Sequence, residues 1–410
     1  MKELADGPAR AAEEEGTEVL REGGLVFAAP RDEGQLAALV RRAARERLRV
    51  VPMGLATKLV ATRPEVFESE AGADLLLVST RHVAGVVDHE PGDGTLTALA
   101  GSRMADLDRA VRAGGHRLTP DVPFAERSTL GGVLGTGLSG PDRLRHGPVR
   151  HHVLGARLML ADGRTVRSGG RLVKNVTGFD LHRLWCGARG TLGVLVEASL
   201  RLVPEPAAEA VLVARYESRA EALERAERLR RLAIQPWALV VENRTGPCWR
   251  VHLALAGRAE AVEDERRLAA GVMEGAACHE GANARDRRIA VRDLTALANA
   301  RLHCRPSRVA TALDRLAEVL GELAWSVAVQ PAVAVAELHL DEAHPDVWLD
   351  LARALASEGA RLEPAALPAA LHTRLAPRHA DRPELRWMRA LARAFDPDAR
   401  FASPTFPCRP

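Results

Sequence analysis

The sequence is short of lysine, of aromatic residues and of grouped cysteines, and each shortage removes a class of function. Only Lys2, Lys58 and Lys174 are lysine; every other basic side chain apart from histidine is arginine. The 57 basic and 54 acidic residues leave a formal net charge of +3, too balanced to point to nucleic acid or an anionic membrane. Aromatic residues are 3% of the chain, and no basic run is interleaved with them. The five cysteines, Cys186, Cys248, Cys278, Cys304 and Cys408, have no CxxC spacing. That argues against a self-contained iron–sulfur or structural zinc site, and the odd, scattered set suits a reducing compartment. No metal site is expected. No apolar run is long enough to span a bilayer, and Met1–Gly16 is too acidic and polar for a signal peptide. The expected location is cytoplasmic, with attachment to the inner membrane only through a partner.

What is present is an ordinary globular composition, 47% hydrophobic and 27% charged, in 410 residues that suffice for two domains. The centre of the chain carries four glycine-bearing segments beside apolar runs. They are Leu130-Gly131-Gly132 through Ser139-Gly140-Pro141, the turn Ala161-Asp162-Gly163, Gly169 through Leu181, and Ala188-Arg189-Gly190 through Leu195. Glycine in such density suggests backbone held close to something bulky.

Residues 1–24 read as a solvated leader with room for a short helix, and Val26–Ala29 as an edge strand. Asp32 and Gln35 have capping-box spacing ahead of a helix at about 33–46, with Leu36, Leu39, Val40 and Ala43 on one face. A strand at 48–52 then feeds the loop Met53-Gly54-Leu55-Ala56-Thr57-Lys58, which would offer amides and a cation to a phosphate. Ser102 is expected to cap a helix bearing Met104, Leu107 and Val111. Strands are expected at Val153–Leu160 and, from the alternation of apolar positions 194, 196, 198, 200 and 202, at Val194–Leu202. Composition changes after Pro204-Glu205-Pro206, the expected domain boundary. Beyond it the pattern predicts a sheet of four or five strands with helices on one face, including a single strand at about 325–338. Asn283–Ala298 reads as a loop over the domain junction. A last helix spans Pro383–Phe395, its proline in the first turn. No internal repeat is visible.

The central stretch resembles the FAD-binding family of the vanillyl-alcohol-oxidase and p-cresol-methylhydroxylase type. Within that family it is most similar to the branch formed by the E-type FAD-binding subunits of glycolate oxidase. The resemblance rests on Asp32 through Lys58, Thr129-Leu130-Gly131-Gly132 through Arg150, and Val173-Lys174-Asn175-Val176-Thr177-Gly178-Phe179-Asp180-Leu181. Gly190-Thr191-Leu192-Gly193-Val194 and the terminal Phe395-Asp396-Pro397 through Pro404 complete it. It implies an α+β fold: a two-subdomain PCMH-type FAD-binding domain at 25–206, an α/β-sandwich cap at 207–385, and a return to the FAD domain at 386–410. Carried over residue by residue, it implies that Gly54, Thr57 and Lys58 face the pyrophosphate and that Thr129, Gly131 and Gly132 line the middle of the cofactor. Ser139, Gly140, Arg143, Gly147 and Val149 would continue around the flavin, and Gly190, Gly193 and Val194 would lie near the adenine. An elongated dinucleotide requires amides at one point and clearance along its length.

The sequence departs from this family in three places. The phosphate loop keeps one glycine, Gly54, where many relatives have several. No residue from 50 to 60 is histidine, so the covalent histidyl link made there by some relatives is unavailable and FAD is expected to be non-covalent. Gly135-Thr136-Gly137 replaces an asparagine-containing version. No catalytic residue is named: His339 with His344, and the cationic group Arg143, Arg145, His146 and Arg150, are the candidates for a base or a carboxylate contact.

The function expected from the resemblance is that of an FAD-binding subunit of a glycolate-oxidase-like complex. It would work with a paralogous FAD-binding subunit and an iron–sulfur subunit on glycolate, D-lactate or another 2-hydroxy acid. A structural subunit with little flavin, and a free-standing oxidase of a sugar acid or lactone, are the alternatives.

Overall fold

In the computed structural model, which describes residues 6–22, 25–57, 74–171, 178–244, 248–294, 298–340, 345–364, 371 and 383–402, the N-terminal stretch expected to be solvated is folded. Helix α1 (Asp6–Glu14) buries Ala9, Ala11 and Ala12 in a core shared with Leu36, Leu39 and Val40 of α2 (Glu33–Arg45). Strand β1 (Glu18–Glu22) then pairs antiparallel with β2 (Leu25–Ala29), so β1 and not β2 is the edge. The sequence left room for a short helix here but marked no buried face, because the face that α1 buries is largely alanine, too small to define an apolar stripe. Helix α2 starts as its spacing predicts, with the Asp32 carboxylate accepting from the Gln35 amide at 2.8 Å. Strands β3 (Arg49–Met53) and β4 (Leu75–Ser79) complete a sheet ordered β1-β2-β4-β3, with β2 and β3 parallel to β4. Near the C-terminus, Phe401 bridges Val50 of β3 in parallel, with Val50 N donating to Arg400 O at 2.7 Å.

A second sheet follows. It comprises β5 (Val86–Glu90), β6 (Thr95–Leu99), β7 (His116–Leu118), β8 (Val153–Met159), β9 (Thr165–Gly169) and β10 (Val194–Pro204), ordered β5-β6-β10-β8-β9 with β7 also on β10. All five alternating apolar positions of β10 are buried. Helices α3 (Met104–Arg112) and α4 (Leu130–Thr136) pack into the same core, as does the last helix through Ala392 and Phe395. Ser102 does not cap α3. Arg103 holds the cap position, and the Ser102 hydroxyl instead meets the backbone of Gly85.

The described residues divide into two compact units. The first is drawn from Met1–Leu138, Pro148–Pro204 and Pro368–Pro410, the second from Ser139–Gly147 and Glu205–Leu367. The expected FAD-domain stretch is therefore interrupted: a segment that includes α5 (Arg143–His146) groups with the second unit, while α6 (Leu181–Trp185) stays with the first.

The second unit is an antiparallel sheet of eight strands, not four or five. Its first half runs β11 (Ala208–Tyr216), α7 (Arg219–Arg230), β12 (Ala238–Asn243), β13 (Trp249–Gly257), α8 (Ala259–Ala270), β14 (Ala277–Glu280). After α9 (Gly281–Leu294), its second half runs β15 (Ala300–His303), α10 (Val309–Leu320), β16 (Trp325–Gln330), β17 (Val335–Leu340), α11 (Pro345–Ser357), β18 (Arg361–Pro364). The strand orders are β14-β11-β13-β12 and β16-β17-β15-β18, so the halves are two βαββαβ units joined through β12 and β16. The repeat is one of topology without repeated sequence. The expected single strand at 325–338 is a hairpin that turns at 331–334, where Ala334 takes φ +54°. The expected junction loop is helix α9, whose Ala284 and Val291 pack against Val211, Ala238 and Val240 of the sheet.

Candidate cofactor site

In the first unit the loop after β3 and the loop 187–190 meet the two ends of α4. Gly54 follows β3 directly, and a Cβ placed there would come within 1.9 Å of the Thr129 hydroxyl. Only glycine allows that approach. The Gly54 carbonyl accepts from the Ser79 hydroxyl at 2.7 Å, and the Thr57 hydroxyl donates to the Arg127 carbonyl at 2.9 Å. The loop is thus pinned on one side to the end of β4 and on the other to the turn 125–127 that leads into α4. Thr129 is the N-cap of α4, its hydroxyl accepting from the Gly132 amide at 3.2 Å.

The two sides of this site differ in what they can offer a ligand. Among the described residues, the amides of Gly54, Leu55 and Ala56 donate no hydrogen bond. Ala56 has φ +59°, a left-handed conformation that tilts successive amides into a concave arrangement. The amides at the start of α4 are already used: Leu130 N donates to Ser102 O, Gly131 N to Ala100 O, and Gly132 N to Thr129. Gly131 owes its identity to Ala100, whose methyl would lie 2.9 Å from an added Cβ. Gly135, one turn along, faces open space and offers a groove rather than a donor. Loop amides at one end and clearance along the helix are what a dinucleotide such as FAD requires, and the residues present fit it.

The loop 187–190 closes the far end of α4. Gly187 N donates to Leu134 O at 2.9 Å, Arg189 N to Gly135 O at 2.7 Å, and Gly190 at φ +79° lies against Pro52 of β3. Gly193 immediately precedes β10, whose first residue, Val194, pairs with Met159; the Val194 side chain is in the core, as is that of Val149. Any contact these two make with a ligand is through backbone. Ser139, Gly140, Arg143 and Gly147 are in the second unit, which also holds Arg145 and His146, while Arg150 is in the first. Lys58, Lys174 and His344 lie outside the described residues.

Titratable groups beside α4 are held neutral. Burial pushes the Cys186 thiol up to about 11 against the pull of Arg150 and Arg183, which leaves it unreactive. Burial lowers the His182 pKa, with Asp180 opposing, and its ring nitrogen meets the Ser168 hydroxyl at 3.2 Å. Ser168 and His182 are both buried beneath β9 and α6, a packing contact and not an exposed nucleophile.

A charged row in the second unit is not signalled by any sequence motif. Arg250, Glu242, Ala328, Glu337, Arg301 and Glu363 stand side by side across β13, β12, β16, β17, β15 and β18. Arg301 Nε donates to Glu337 at 2.8 Å, and the ring nitrogens of His252 and His303 meet Glu242 at 2.9 Å and Glu363 at 3.0 Å. His339 is on the same face, opposite Ser326. The available signal is the alternation in Ala300-Arg301-Leu302-His303 and Val335-Ala336-Glu337-Leu338-His339, strands too short to stand out. Among the described residues no three His, Cys, Asp or Glu side chains are grouped to hold a metal ion.

Comparison with known proteins matches these features. A family model described as the FAD binding domain covers residues 25–169. Glycolate oxidase subunit GlcD of Bacillus subtilis is 34% identical over 191 residues, 46% of this chain and 39% of that protein. Glycolate oxidase subunit GlcE of Escherichia coli is 39% identical over 125 residues, 30% of this chain and 36% of that protein. D-2-hydroxyglutarate dehydrogenase of Stutzerimonas stutzeri is 31% identical over 182 residues, 44% and 38% of the two chains. In each case the alignment spans well under half of the relative's length. Among solved structures, an alkyldihydroxyacetonephosphate synthase superposes with a TM-score of 0.69 at 15% identity, covering 92% of this chain and 75% of that one, a likeness of fold. The chain therefore carries a non-covalent, PCMH-type FAD-binding domain, followed by a β-rich cap, and is related to glycolate oxidase and the D-2-hydroxy-acid dehydrogenases.

Proposed function

We propose that this chain is the FAD-binding subunit of a glycolate-oxidase-like 2-hydroxy-acid dehydrogenase complex. A paralogous flavoprotein and an iron–sulfur protein would be its partners. The observation that carries the reading is the loop after β3: three amides without acceptors among the described residues, beside Thr129, in a stretch matched by the FAD-binding model. The similarity to both GlcD and GlcE of glycolate oxidase supports the substrate class. Gly54, Thr57 and Lys58 would hold the pyrophosphate, and Thr129, Gly131 and Gly132 the middle of the cofactor. Ser139, Gly140, Arg143, Gly147 and Val149 would face the flavin, and Gly190, Gly193 and Val194 the adenine. When bound, the flavin supplies the two-electron chemistry; the chain orients it and shields it from water. Electrons would leave through the iron–sulfur partner, because the five cysteines here form no cluster-binding spacing.

One observation favours a second reading, a structural subunit that binds flavin weakly. Ala56 occupies a left-handed position that suits glycine, and the loop retains one glycine of the several usual in relatives. The visible spectrum of the purified chain, before and after incubation with FAD and removal of the excess, separates the two. An oxidised-flavin spectrum released by acid supports the first reading, and bleaching by glycolate or D-lactate, alone or with partners, then identifies the substrate. A colourless protein that takes up no FAD would leave the structural reading.

A further inference from the structure

Within the second unit, the nine residues Ser139–Gly147 are held by side chains that no sequence motif marks. Asp142 precedes α5 and is 1% exposed, and its carboxylate accepts from the guanidinium of Arg288 on α9, itself 8% exposed. Arg288 also reaches Glu209 of β11 at 3.3 Å and lies over the Trp237 ring, 5.4 Å from its centroid. Trp237 also meets His146, ring centroids 4.8 Å apart in an edge-on arrangement. Arg285 on the same helix answers Glu209 at 3.5 Å and Glu205 at 3.1 Å. Both ends of α5 are thus fixed, Asp142 by charge and His146 by ring contact.

Arg288 is misplaced for a helix that merely packs. It lies between Ala284 and Val291 on the stripe of α9 that faces the sheet, where an aliphatic residue would bury at lower cost. Burying a guanidinium and two carboxylates incurs a desolvation penalty that a hydrophobic replacement avoids, so the arrangement is a poor device for stability alone. What it provides is direction, since a planar guanidinium that gives one nitrogen to Asp142 and the other to Glu209 fixes the two carboxylates relative to each other.

We infer that Arg288 is a positioning residue for flavin binding, gripping Asp142 so that the segment bearing Ser139, Gly140, Arg143 and Gly147 is fixed before the cofactor arrives. This rests on the reading above that the segment meets the flavin. A segment ordered in advance loses less entropy on binding, and that difference appears directly as affinity.

The test uses the full chain stripped of FAD. Arg288→Gln, Asp142→Asn, the double variant that leaves no lone buried charge between the two, and Arg288→Lys are titrated with FAD by flavin fluorescence, giving a dissociation constant and a stoichiometry. Hydrogen exchange of the peptide spanning 139–147 is followed in the same proteins without FAD. The expected result is an increase in dissociation constant of about tenfold at unchanged stoichiometry, faster exchange in 139–147, and partial recovery with Arg288→Lys. The double variant is the decisive one if either single variant does not fold. An unchanged dissociation constant overturns the inference, and so does a loss confined to stoichiometry, which marks a folding role. Arg143→Ala and Gly54→Ala separate the two failures. If Gly54→Ala weakens FAD and Arg143→Ala does not, flavin binding stands and only this segment's part in it is lost; if the wild-type chain binds no FAD, the underlying reading fails first.

Discussion

At the residue scale the loop after β3 turns on two neighbours with opposite demands. Ala56 is an L-residue at φ +59°, a conformation that costs roughly 1–2 kcal/mol in lost steric freedom. Glycine removes that cost but adds backbone entropy to the unfolded chain, so Ala56→Gly should stabilise by a net ~0.5–1 kcal/mol in chemical denaturation. A loss of stability would show that the Ala56 methyl contributes packing that outweighs the strain. Gly54 is the converse case. Gly54→Ala places a methyl within 1.9 Å of the Thr129 hydroxyl and should destabilise by about 1–3 kcal/mol while weakening FAD. The sequence pointed to this loop and to Thr129 separately. It could not show that Gly54 is glycine because of Thr129, or that Gly131 is glycine because of Ala100, since those reasons are contacts between residues far apart in the chain.

At the scale of elements, the pair Glu242 on β12 and His252 on β13 shows how the cap's sheet keeps a buried carboxylate. Burial raises the Glu242 pKa, but the hydrogen bond and charge of His252, with Arg244, more than offset it and hold the group at about 2. A folded-state pKa below the ordinary glutamate value of 4.5 means that the stabilisation is complete above that value and is lost as pH falls towards 2. Its size is on the order of 3 kcal/mol. Glu242→Gln should therefore be less stable than wild type at pH 7 by about that amount, and the two curves should converge between pH ~4.5 and ~2. A difference that stays constant with pH would assign the loss to packing instead. The elements that the sequence failed to predict share a cause with this pair. Strands β15 and β18 have four residues each, and α9 carries Arg288 on its buried stripe, so neither length nor periodicity announced them. Long patterned elements such as α2 and β10 were legible from their spacing alone.

At the scale of the whole molecule, the chain crosses between its two units at 138/139, 147/148 and 204/205 and again between 364 and 371, a path that no pattern of consecutive residues anticipates. Local patterning can place a boundary where composition changes, as at Pro204, but not a nine-residue excursion inside a run of glycine-bearing motifs. The excursion makes the thermal behaviour of the molecule informative. The loop 54–57, α4 and the 187–190 loop all belong to the first unit, so FAD should stabilise that unit by about 2.7 kcal/mol at 100 times its dissociation constant. For a unit of this size that raises its melting temperature by roughly 5–10 °C. Four of the six tryptophans, Trp237, Trp249, Trp325 and Trp348, are in the second unit and report it by fluorescence, while calorimetry reports both. If the flavin engages only the first unit, the tryptophan transition stays where it is as the calorimetric transition of the first unit moves. A calorimetric trace indifferent to FAD would rule out the cofactor site around α4 altogether.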